Sequence, residues 1–207
     1  MKRCISVLIL LAVFTGAVSA QSAFGLKGAW GSSAYRGSGF EESGLEAYYD
    51  LDSFSGGVFF DWHFSKVVSL QPEVIFSRVS HNTDAEDFNR YVKRNFLEVP
   101  VYLKLSLPLG RTRFYIMGGP DFMLPIGDVM MESLWEFNGQ RNISASDYYD
   151  NTFLLGAAAG LGFEFPLGPG FLVTGLKYST NLTSYFDGGD VFNQSFLFEV
   201  GYGFGKR

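Results

Sequence analysis

From about residue 24 onward, apolar and polar side chains alternate with a period of two instead of recurring at helical spacing. The alternation predicts eight strands, over roughly 24–34, 54–64, 67–78, 95–107, 113–125, 152–165, 171–182 and 193–204. The clearest is the fourth, where Leu97, Val99, Val101, Leu103, Leu105 and Leu107 share one face and Glu98, Tyr102, Lys104 and Ser106 the other. In the third, Val68, Leu70, Pro72, Val74 and Phe76 alternate with Ser69, Gln71, Glu73 and Ser77. The last sets Phe196, Phe198, Val200, Tyr202 and Phe204 against Glu199, Gly201 and Gly203.

Alternation does not say which face is the inside; the distribution of charge does. Of the 21 acidic residues, 15 fall between the predicted strands, and Asp61, Glu73, Glu98, Asp121, Glu164 and Glu199 fall within them, all in the polar phase. Lys27, Lys104, Arg113 and Lys177 share that phase, and the opposite face is uncharged apart from Arg78 at a strand end. An uncharged face of large apolar residues suits lipid, and a face of mixed, pairable charge suits a closed polar lumen. Glu73, Glu98, Lys104, Arg113, Glu164, Lys177 and Glu199 are therefore expected to form an interior ion-pair network.

The connections give an independent test. Long polar gaps at about 35–53, 79–94, 126–151 and 183–192 alternate with the short ones at Ser65-Lys66, Pro108 to Thr112 and Pro166 to Gly170. Long external loops alternating with short periplasmic turns are what a membrane barrel requires, and a soluble sandwich has no reason for them. The predicted fold is all-β, an eight-stranded antiparallel up-and-down transmembrane barrel. One stretch, 152–176, carries a single charge, Glu164, and a small-residue run at Gly156-Ala157-Ala158-Ala159-Gly160 that would also suit a membrane helix. Pro166-Leu167-Gly168-Pro169-Gly170 interrupts it with a turn signal, which favours two strands.

The N-terminal segment belongs to a different class. Lys2 and Arg3 precede a largely apolar run from Ile5 to Val18, followed by Ser19-Ala20. This reads as a secretory signal over 1–20, cleaved before Gln21, with the barrel domain over 21–207. Cys4, the only cysteine, lies in the leader. A secreted domain without disulfides points to the bacterial envelope. The 16 Lys+Arg less two in the leader leave 14 against 21 Asp+Glu, a net charge of −7 that argues against nucleic acid as a partner.

Several short motifs stand within this pattern: Ser69-Leu70-Gln71-Pro72-Glu73, Phe96-Leu97-Glu98-Val99-Pro100-Val101-Tyr102-Leu103-Lys104, Gly118-Gly119-Pro120, Gly160-Leu161-Gly162-Phe163-Glu164 and Lys177-Tyr178-Ser179. In combination they make the chain resemble the small outer membrane β-barrel domains of the porin family in Gram-negative bacteria, related in architecture to the OmpA and OmpX type of eight-stranded barrel. The resemblance covers almost all of 21–207. It implies location in the outer membrane, with outer membrane lipid and the barrel assembly machinery as partners. Such barrels commonly end on an aromatic residue; here Gly205-Lys206-Arg207 follow Phe204, so Phe196, Phe198, Val200, Tyr202 and Phe204 are taken as the assembly signal.

The sequence predicts no catalytic residue, cofactor or metal site. His63 and His81 fall at opposite ends of the predicted barrel, and no nucleophile elbow, phosphate loop or metalloprotease motif occurs. Asp50-Leu51-Asp52 and Asp187-Gly188-Gly189-Asp190 offer oxygen ligands without a full cation loop. Two functions stay open. In one, the barrel anchors surface loops that contact an extracellular protein or glycan through residues such as Tyr35, Phe40, Tyr48, Tyr49, Trp135, Phe137, Tyr148 and Tyr149. In the other, it is a narrow conduit for small solutes. Eight strands enclose only enough room for side chains, which favours the first.

Overall fold

The computed structural model describes residues 22–36, 46–48, 50–85, 88–135, 141–143, 153–184 and 192–205. They form β1 (Ser22–Arg36), β2 (Glu46–Tyr48), β3 (Asp50–His63), β4 (Val68–Ala85), β5 (Phe88–Leu109), β6 (Thr112–Trp135), β7 (Arg141–Ile143), β8 (Leu154–Leu167), β9 (Gly170–Asn181) and β10 (Phe192–Phe204). No helix occurs among the described residues. Eight strands close a ring in the order β1, β3, β4, β5, β6, β8, β9, β10, each antiparallel to its neighbours. The seam joins β1 to β10, from Phe24↔Phe204 to Arg36↔Phe192. Short β2 and β7 extend the sheet beside β4 and β6. Closure leaves no sheet edge in the ring, as a hydrocarbon environment demands.

The strand assignments correct the predicted boundaries at one end of the barrel. Strands β4 and β5 stay paired into the 79–94 gap, with pairs running from Val79↔Arg94 to Ala85↔Phe88, so His81 lies in a strand. The 126–151 gap is strand as far as Trp135 and again over Arg141–Ile143, and the 35–53 gap contains β2 and the start of β3. Consequently Glu46, Asp50, Asp52, Asp84, Asp128 and Glu132, counted above as loop acids, lie in strands. Ladder hydrogen bonds need no alternation of side chains, so strands that run beyond the apolar belt lose the signal by which sequence detects them.

The opposite end closes with short turns. Ser65 Oγ accepts hydrogen bonds from the Val67 and Val68 amides, fixing the turn from β3 to β4. Gly110 and Gly168 occupy the left-handed region, at φ +67 and +59, in the turns after β5 and β8, a conformation that favours glycine.

Burial follows the strand period. Phe24, Leu26, Leu103, Leu107, Leu176, Phe196 and Phe198 are each more than half exposed, whereas Lys27, Glu73, Lys104, Glu164, Lys177 and Glu199 are buried. This inverts the arrangement of a water-soluble protein. So large a surface of exposed apolar side chains is stable only against lipid.

The interior is more than charge. Phe59, Tyr102, Tyr115, Met117, Phe171 and Val173 belong to one buried cluster, and Val79, Phe96, Met123 and Leu154 form another, against which Tyr35 packs. The inward aromatics fit because glycines face them. An added Cβ would stand 2.5 Å from the Phe59 ring at Gly25, 2.0 Å from that of Phe171 at Gly203, and 2.4 Å from the Tyr115 hydroxyl at Gly175. Large-against-small pairing of this kind fills a narrow lumen. Gly175→Val is accordingly expected to displace Tyr115 and destabilise the barrel by about 1–3 kcal/mol. Denaturant unfolding of the refolded protein in detergent checks this; an unchanged midpoint would mean that Tyr115 moves without cost.

Candidate functional site

The lumen holds a column of acidic and basic side chains drawn from seven of the eight ring strands. Lys27 on β1 lies 2.7 Å from Glu73 on β4 and 2.9 Å from Glu199 on β10. Lys104 on β5 lies 3.0 Å from Asp61 on β3 and 2.6 Å from Glu164 on β8, and also donates to Gln71 Oε1 at 2.8 Å. Gln71 links the two groups, because its Nε2 donates to Glu73 Oε1 at 2.6 Å. Lys177 on β9 stands 3.9 Å from Glu98, which also accepts a hydrogen bond from the Ser77 hydroxyl. Each of the three lysine side chains is at most 5 % exposed.

The strand period explains why these groups point inward, and aromatic faces help to hold two of them. The Lys27 ammonium lies 5.8 Å from the Tyr102 ring centroid and that of Lys104 lies 4.7 Å from the Tyr115 ring. A cation over an aromatic face gains quadrupole attraction while leaving its N–H groups aimed at carboxylates. The pairs have a one-sided energetic role. Formation roughly offsets desolvation, whereas loss of one partner leaves an uncompensated buried charge.

Six of the seven residues expected in the lumen network stand in these pairs: Glu73, Glu98, Lys104, Glu164, Lys177 and Glu199. Arg113 does not. It is opposite Glu164 in the register of β6 and β8, but its Nη1 is buried with no hydrogen-bond partner among the described residues. Two further residues of the polar phase, Lys27 and Asp61, belong to the network although the expected set omits them: Lys27 joins Glu73 to Glu199, and Asp61 is a second carboxylate on Lys104. His63 Nδ1 lies 3.9 Å from Asp61 Oδ1 on the turn side of the column. Asp121, another carboxylate of the polar phase, is buried and its Oδ1 has no hydrogen-bond partner among the described residues.

Beyond Lys177 and Glu98, away from the turns, the lumen changes from charge to hydroxyl. Ser33, Ser53, Ser77, Ser179, Asn193 and Ser195, together with Glu98 and Lys177 at its charged end, border a small cavity of about 20 Å³. Ser33 and Ser195 hydroxyls are 2.7 Å apart, and Asn193 Nδ2 donates to Ser195 Oγ at 3.2 Å. Of these only Ser77 stands in the expected polar rows given above; the recurrence of the other serines at inward positions of β1, β3, β9 and β10 is visible in the alternation. Among the described residues no group of three or more His, Cys, Asp or Glu side chains could hold a metal ion. Asp187 and Asp190 lie outside the described residues.

The outer wall places the predicted assembly row in order. Phe196, Phe198, Val200 and Phe204 are exposed on β10, and the Phe204 ring stacks on Phe24 across the seam at 5.3 Å. Tyr202 shares that row and donates from its hydroxyl to the Leu167 carbonyl at 2.8 Å.

A closed eight-stranded ring with a lipid-facing exterior and a charged interior is accompanied by a match to the family described as the outer membrane protein beta-barrel domain, over residues 6–204. The chain belongs to this family. It is a bacterial outer membrane β-barrel protein. Among solved structures, it is similar to Neisserial surface protein A (TM-score 0.47, 11 % identity, covering 87 % of this chain and 95 % of that one). It is also similar to Ail, the attachment invasion locus protein of Yersinia pestis (0.45, 14 %, covering 89 % and 99 %). A third similar structure is OprG from Pseudomonas aeruginosa (0.45, 12 %, covering 90 % and 97 %). No curated protein matches the chain. The family accounts for the closure and the lipid-facing wall.

Proposed function

We propose that this outer membrane barrel is a closed, non-catalytic platform whose inter-strand segments contact an extracellular protein or glycan. The observation that carries the reading is the lumen column: Lys27, Lys104 and Lys177 are buried among carboxylates, and little space is left for a solute to pass. A rigid body that does not conduct leaves its function to the segments it displays. Those at the end opposite the tight turns include residues 37–45, 136–140 and 144–151, where Phe40, Phe137, Tyr148 and Tyr149 stand beside Glu41, Glu42, Glu136 and Asp147. These segments lie outside the described residues.

In this reading residues 1–20 are the secretory signal, the host is Gram-negative, and the tight turns face the periplasm. Outer membrane lipid surrounds the wall, and the assembly machinery inserts the chain through its closing strand. The alternative, a narrow solute conduit, draws support from the hydroxyl-lined cavity, which the charged column closes off from the turn end. Planar bilayer recording on the refolded chain separates the two. The platform gives no stable single-channel conductance, and a steady open level would establish the conduit. A variant lacking 37–45 and 144–151 is expected to lose binding on protein and glycan arrays at unchanged thermal stability; array signals equal to those of the full chain would remove these segments from the function.

A further inference from the structure

Two arginines stand on the outer wall, at the margin of the apolar rows that face lipid. The outward row of β4 runs Val74, Phe76 and then Arg78; the first two are exposed to the hydrocarbon and the third ends the row on the side away from the tight turns. Arg78 Nε donates to Asn95 Oδ1 at 2.9 Å, and its guanidinium lies 5.4 Å from the centroid of the exposed Phe54 ring. On the seam, Arg36 ends β1 on the same side. It donates from Nη2 to Thr180 Oγ1 at 3.2 Å, and its guanidinium lies 5.6 Å from the Phe192 ring. Phe192 and Gln194 continue the outward row of Phe196 and Phe198.

Each arginine thus combines a side chain laid along an apolar, lipid-facing surface with a head held at its upper margin by a neutral hydrogen-bond acceptor. Among the described residues neither has a carboxylate within ion-pair distance, in contrast to every lysine of the lumen column. Nearby on the β3 to β5 wall, Lys93 lies 3.6 Å from Asp52, so this margin carries both an occupied ion pair and guanidinium charge without a carboxylate. An arginine is costly on a barrel's lipid face at mid-depth and cheap at the headgroup level. Its planar fork matches two phosphate oxygens, and aromatic faces below it keep the plane in place.

We propose that Arg36 and Arg78 bind the phosphate groups of lipid headgroups in the outer leaflet, on the outside of the barrel and independently of its lumen and displayed segments. The occupant is a phosphorylated lipid because the two sites continue the acyl-facing rows of β4 and β10: a lipid whose chains cover Phe76 or Phe196 brings its headgroup to the level of the arginine. Charge complementarity and the apolar side chains below, Val74 and Phe76 on β4 and Phe196 and Phe198 on β10, argue for the same occupant.

Native mass spectrometry of the full refolded chain in neutral detergent, titrated with bis-phosphorylated lipid A, tests this. Each arginine is expected to contribute about fivefold to the apparent affinity, so Arg36→Gln with Arg78→Gln weakens binding roughly 25-fold. The double Arg→Lys variant, which keeps the charge and loses the fork, falls between the two. Dephosphorylated lipid A should bind the unmodified protein as weakly as phosphorylated lipid A binds the double Gln variant, and this arm decides the matter even where a variant fails to fold. Equal binding of the two lipids, or an undiminished affinity in a folded double Gln variant, overturns the proposal. Retention of inorganic phosphate alone at comparable concentration also overturns it, by showing a free-anion site.

Discussion

Replacing Lys104 with alanine is expected to lower the unfolding temperature of the barrel in detergent more than any other single lumen substitution. Lys104 Nζ reaches Asp61 at 3.0 Å, Glu164 at 2.6 Å and Gln71 at 2.8 Å, and it is 1 % exposed. Its removal leaves two carboxylates from β3 and β8 facing one another across a space from which the compensating charge has gone. Breaking a buried pair in this way costs about 3–5 kcal/mol, less to the extent that water enters the lumen. Heat-dependent electrophoretic mobility and loss of β circular dichroism report the transition. A companion variant separates charge from shape: Lys104→Met with Asp61→Asn and Glu164→Gln removes the ion pairs without stranding a charge, and is expected to recover most of the lost stability. If Lys104→Ala unfolds at the temperature of the unmodified protein, the lumen is wet enough to solvate Asp61 and Glu164, and the closed-platform reading loses its main support.

The second large effect is expected at the seam. A chain ending at Gly203 loses the Phe204 ring, its stacking on Phe24 at 5.3 Å and its edge contact with Tyr202 at 4.9 Å. It also loses the last rung by which β10 pairs with both β1 and β9. The two ring contacts are together worth about 1–3 kcal/mol, and the missing rung opens backbone groups to lipid at the position that closes the ring. Most of the yield in the outer membrane fraction should disappear. Deleting only Lys206 and Arg207 keeps Phe204 and its pairing, and should leave the yield unchanged. Equal yields from the two truncations would mean that neither the terminal aromatic nor its rung is needed for insertion.

Much of this was readable along the chain, for a definite reason. A strand that separates lipid from a polar lumen must alternate, so Leu97 to Leu107 and Glu98 to Ser106 declare their faces without any knowledge of their neighbours. Because every strand alternates in the same sense, an uncharged phase and a charged phase imply closure, and the rhythm of long and short connections gives the order of pairing. Where that constraint ends, legibility ends with it. The paired ends of β4 and β5, from Val79↔Arg94 to Ala85↔Phe88, and the outer part of β6 leave the apolar belt, and their residues carry no alternation to betray strands that backbone hydrogen bonds nevertheless maintain.

The face of each side chain was therefore set by sequence, and its height in the barrel by tertiary structure. Lys27 and Glu199 are 172 residues apart, and Lys104 and Asp61 are 43 apart. Only the tilt and stagger of a closed ring bring each pair to one level. The same stagger leaves Arg113 out of the network that its phase suggested and brings Lys27 and Asp61 into it. It also places Gly175 under Tyr115, so that a ring fits where a Cβ would not. Alternation is a one-dimensional constraint imposed by two environments, lipid and lumen, and so it specifies inside and outside. Which lysine meets which carboxylate depends on shear around the ring, a property of all the strands together that no single strand encodes.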